Sequence, residues 1–136
     1  MHIPERIPGL KLATAVLAIY FALWISLEGS LWRVVVMGVG ATAVSLGHLS
    51  QKYLAGRVLS WQKWVVVTAV LGLLFGLGSS TLTLLFMTVK TGLHAHGPEF
   101  SLNQIQWMLA QTPLWAIVGL LAGTGIGLLL TYKSNI

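Results

Sequence analysis

The chain contains no cysteine and no aspartate, and its side-chain carboxylates are confined to Glu5, Glu28 and Glu99. The first absence excludes disulfides, thiolate metal centres and a cysteine nucleophile. The second excludes a Ser-His-Asp triad, and three scattered glutamates leave little for paired-carboxylate acid–base chemistry. Charge of either sign is scarce. Charged residues make up 8% of 136 positions, against roughly 25% in an ordinary soluble domain. With 56% hydrophobic residues and a mean hydropathy of +0.83, there is too little polar surface to coat a water-soluble globule. A disordered chain is excluded by the same numbers, because disorder needs low hydrophobicity.

What is present is long apolar runs. Charge-free stretches cover residues 12–27, 34–51, 64–89 and 100–132. A helix needs about 20 apolar residues to cross roughly 30 Å of hydrocarbon. The chain therefore reads as an all-α integral membrane protein, a single domain forming an up-down-up-down four-helix bundle. The expected spans are 8–27, 31–51, 61–89 and 113–132. Pro8 suits a first helical turn, where its missing N–H would be unbonded anyway. Residues 28–30 form a turn, with Ser30 as the expected cap of the second helix and Ser60 as that of the third. The first run is read as a retained helix, since Ser26-Leu27-Glu28-Gly29-Ser30 makes a poor leader-cleavage site.

The fourth charge-free run is too long for one span and contains Pro113. Ser101-Leu102-Asn103-Gln104 has the form of a capping box. It opens a segment with Leu102, Ile105, Met108 and Leu109 on one helical face and Asn103, Gln104 and Gln111 largely opposite. This predicts a separate interfacial helix over 102–111, with Thr112-Pro113 starting the last span.

Orientation follows from the basic residues. One side carries Arg6, Lys11, Lys52, Arg57, Lys63 and Lys133, the other Arg33 and Lys90. That asymmetry predicts cytoplasmic termini, in a bacterial inner membrane or an organellar membrane of bacterial type. The net charge of +5 is spread singly over helix ends and not clustered. It fits topology and anionic lipid, and no nucleic-acid surface is expected.

Three helices carry small residues at four-residue spacing: Thr14, Ala18, Ala22, Ser26; Thr68, Gly72, Gly76, Ser80; and Gly119, Gly123, Gly127. In lipid such ladders permit close backbone approach. Gly72, Gly76, Ser80, Gly119, Gly123 and Gly127 are therefore the expected packing face, or a face for a partner subunit. A polar track through Ser79, Ser80, Thr81 and Thr83 is an alternative, although hydroxyls in membrane helices commonly bond their own i−4 carbonyls. None of the charged residues falls in the middle of a proposed span, which argues against a proton- or cation-coupled carrier.

Histidine supplies the remaining chemistry. His94-Ala95-His96 with Glu99 three residues on could hold a divalent transition metal, or could be a solvated loop. His48, near the end of the second helix, could ligate haem or chlorophyll with Ala43 and Gly47 giving room, or could be an interfacial residue bonded to headgroups. The expectation is a non-catalytic accessory, assembly or scaffold subunit that associates with the bilayer and with other membrane subunits or itself. The alternatives are a small ion or metal transport protein using His94, His96 and Glu99, and a haem- or pigment-associated subunit using His48.

Overall fold

A computed structural model describes residues 1–93, 97 and 99–134. It is all-helical, with α1 (Leu10–Ser26), α2 (Leu31–Leu54), α3 (Trp61–Leu93) and α4 (Leu102–Ser134). Three of them, α2, α3 and α4, are long and apolar enough to cross a membrane. The first, α1, is apolar but has 17 residues, about 25 Å of helix at 1.5 Å per residue. It begins at Leu10 instead of Pro8, because Gly9 adopts a left-handed conformation (φ 77°) that ends the preceding turn.

Packing follows chain order: α1 lies on α2, α2 on α3, and α3 most extensively on α4. Two sets of contacts define the ends. At the basal end, His2 and Val58 form an isolated bridge, Gly56 N–H donates to the Ile3 carbonyl, and the Thr131 hydroxyl lies 3.9 Å from Met1 Sδ. At the opposite, hairpin end, the turn after α1 meets Lys90 and Glu99.

The largest buried apolar cluster sits at the hairpin end. Trp24, Val34, Met87, Phe100 and Met108 form it, so all four helical segments or their flanks contribute. Phe21, Trp24 and Phe86 stack with ring centroids 5.8–6.1 Å apart; each such aromatic pair adds about 0.5–1.5 kcal/mol beyond area burial. Elsewhere many large apolar side chains, such as Leu12, Val66, Leu121 and Leu129, are exposed, as a lipid-facing surface requires. Small residues fill the interior there.

Two expectations about helix ends change. The capping box forms: Gln104 N–H donates to Ser101 Oγ at 3.2 Å and Ser101 N–H to Gln104 Oε1 at 2.9 Å. No break follows it. The segment 102–111, expected as a separate interfacial helix, is the first part of α4, which runs through Pro113. Proline removes one backbone bond and costs about 3 kcal/mol in a helix interior. In a membrane helix, neighbouring helices and hydroxyl side chains can support the freed backbone. Here Ser80 Oγ of α3 lies 2.6 Å from Thr112 Oγ1, beside the proline. Ser30 is the N-cap of α2 by position, yet its hydroxyl makes no capping bond.

Candidate functional site

The α3–α4 seam brings the two small-residue ladders together. A Cβ added at Gly72 would meet the Gly119 carbonyl oxygen, one at Gly76 the Trp115 carbonyl, and one at Gly123 the Thr68 carbonyl. Gly127 faces the Thr68 hydroxyl. The helices thus touch backbone to backbone, a separation that only glycine permits. The α4 ladder is covered by α3 of the same chain, so this face is turned inward.

Beside the seam lies an open apolar groove of about 500 Å³. Its walls are Ala43, Leu46 and Gly47 of α2, Leu71 and Phe75 of α3, and Ala122 and Ile126 of α4, with Gly72, Gly119 and Gly123 also lining it. The hydroxyl residues considered as a polar track along α3 lie elsewhere than in this groove. Ser79, Ser80 and Thr83 are fully buried between helices, and Thr83 donates to the Ser79 carbonyl at 2.7 Å. Thr81 is exposed. Gly38 lets α2 approach this point: a Cβ there would strike the Thr83 hydroxyl.

The hairpin end holds a residue whose burial the sequence did not reveal. Lys90 is 1% exposed. Its ammonium donates to the Trp24 carbonyl at 2.8 Å and to the Leu27 carbonyl, and sits 4.7 Å from the centre of the Trp24 ring. The last carbonyls of a helix lack intrahelical partners and carry the negative end of its dipole. A cation from α3 therefore completes α1. Glu99 adds its carboxylate 3.5 Å away, against Gly29, where an added Cβ would come within 2.9 Å of the Glu99 Cβ. Among the described residues this is the one ion pair. Arg33 instead donates to the Glu28 backbone carbonyl at 3.3 Å.

Of the expected metal set, Glu99 is thus engaged with Lys90, while His94 and His96 lie outside the described residues. Among the described residues no three His, Cys, Asp or Glu side chains converge. His48 is at the other end of the molecule, its Nε2 2.9 Å from Thr14 Oγ1. Leu10 fills the space beside Gly47: its Cδ1 lies 2.7 Å from where a Cβ would stand. No family model, curated protein or solved structure matches the chain.

Proposed function

We propose that this chain is a non-catalytic accessory or assembly subunit that spans the membrane four times, up-down-up-down, and receives a helix of another membrane protein in the groove between α2 and α4. The groove carries this reading. It combines three traits: it is open, it is apolar, and small residues such as Ala43, Gly47 and Ala122 line it. Helix association in lipid depends on that kind of close approach, because lipid tails are as apolar as leucine and no hydrophobic force drives the helices together.

Four spans follow if α1 crosses with the others. Its 17 residues stand at the short end of the range, about 17–25, that membrane helices occupy. The shared basal end of Met1, Leu59 and Thr131 supports an even number of crossings. The basic residues Arg6, Lys11, Lys52, Arg57, Lys63 and Lys133 put that end on the cytoplasmic side. A non-catalytic role fits the engagement of Lys90, Glu99 and His48 in helix-end contacts.

Mild-detergent native electrophoresis tests the reading. The wild-type chain is expected in a complex larger than itself, and Ala122→Trp, which fills the groove from an exposed position, is expected to release it. A free chain in every preparation overturns the proposal.

A further inference from the structure

On the α1–α2 side of the basal end lies a second concavity of different chemistry. This cleft, of about 690 Å³, is lined by Arg6, Lys11, His48 and Gln51 together with the chain from Ile7 to Leu12. Among the described residues no carboxylate lines it. The neighbouring Glu5 packs beside Gly56 instead, its Cγ 3.9 Å from where a Cβ on that glycine would stand.

The cleft is held in shape by its own polar contacts. Gln51 Oε1 accepts the Ile7 N–H at 3.0 Å, tying the segment before α1 to α2. Thr14 donates its hydroxyl proton to the Leu10 carbonyl at 2.8 Å, so it accepts from His48 Nε2 at 2.9 Å. The first turn of α1 opens here with neither a side-chain cap nor an acidic residue. The positive end of the helix dipole adds to the charge of the two cations.

We infer that this cleft binds the phosphate of one anionic phospholipid headgroup. Phosphate chemistry follows from the guanidinium of Arg6 and the ammonium of Lys11 lining one cleft. A lipid source follows from what adjoins the cleft. Leu12 lines it and also begins an exposed ridge, Leu12, Val16, Ile19 and Leu23, along one face of α1. A headgroup in the cleft would lay its acyl chains on that ridge, whereas a free phosphate has no use for it.

The test uses the full-length protein, stripped of lipid in detergent, with lipid retention read by native mass spectrometry. The probes are phosphatidylglycerol, phosphatidylcholine and inorganic phosphate. One phosphatidylglycerol is expected to be retained in preference to phosphatidylcholine. Lys11→Gln is expected to weaken that binding about fivefold, and Arg6→Gln with Lys11→Gln about 25-fold, from the usual contribution of a basic residue near an anionic surface. Lys133→Gln, a cation outside the cleft, should leave it unchanged. Unchanged helicity by circular dichroism shows that each variant is folded. Equal retention of both lipids, or an equal loss with Lys133→Gln, overturns the site. Displacement of the lipid by millimolar inorganic phosphate overturns the lipid assignment in favour of a free-anion site.

Discussion

Lys90 and Trp24 meet twice: the ammonium is bonded to the Trp24 carbonyl at 2.8 Å and lies over the same residue's indole at 4.7 Å. One side chain of α3 thereby closes the end of α1 and rests on the ring at the centre of the aromatic cluster. Burying a charge is expensive unless it is paired and hydrogen-bonded. This lysine has two carbonyls, an aromatic face and the Glu99 carboxylate.

Breaking that arrangement should therefore be costly. Glu99→Gln leaves the ammonium its carbonyl partners and is expected to lower stability by about 1–2 kcal/mol, less than the about 3–5 kcal/mol of a buried pair broken outright. Lys90→Met removes the cation that caps α1 and is expected to lose about 3 kcal/mol, in line with single truncations of buried pairs. The double variant should lose less than the sum. Thermal unfolding in detergent, followed by tryptophan fluorescence, reads all three; additive losses would mean the two side chains are not coupled.

Glycines in the seam and outside it should respond with opposite sign. Gly119→Ala drives a methyl group into the Gly72 carbonyl and is expected to destabilise by about 1–3 kcal/mol, the usual range for overpacking. Gly125 has open space around its Cα. There alanine gains the helix preference of about 0.5–1 kcal/mol. A fall in melting temperature for the first and a small rise for the second is the expected pattern.

Pro113→Ala should stabilise the chain. Because α4 continues through this position, alanine restores a backbone bond and relieves a cost of up to about 3 kcal/mol. Helical content by circular dichroism should stay constant or rise slightly. A large gain in helix on substitution would mean that the proline interrupts α4.

Chelation separates the two roles open to Glu99. If its partner is Lys90, thermal unfolding is the same with and without EDTA, and Glu99→Gln lowers the transition equally in both. A melting temperature that falls several degrees on chelation, with metal released and lost again in His94→Ala and His96→Ala, would mark a metal centre instead.

The sequence made the helices legible because membrane helices announce themselves by length and apolarity, and a polar–small–apolar pattern survives in one dimension. The capping box at Ser101 and Gln104 was legible for the same reason: both partners lie within one turn. Pro113 misled, since a proline removes one backbone bond without having to end a helix, and α4 runs on through it beside the Ser80–Thr112 contact with α3. The cap expected from Ser30 failed at the level of a single hydroxyl, which position alone does not orient. Lys90 looked like a surface charge because Trp24 and Leu27, which bury it, are more than sixty residues away in the chain.

Scarce charge, absent cysteine and aspartate, and four apolar runs determined by themselves that this protein is helical and suited to a membrane, with little material for catalysis. Those properties are sums over residues and need no neighbours. Only the tertiary structure decided that the two glycine ladders face each other and that a buried lysine completes the end of another helix. It likewise decided that Arg6, Lys11 and His48 share one cleft. Each of these depends on how helices far apart in the chain are turned toward one another, and that rotation is set by packing across the molecule.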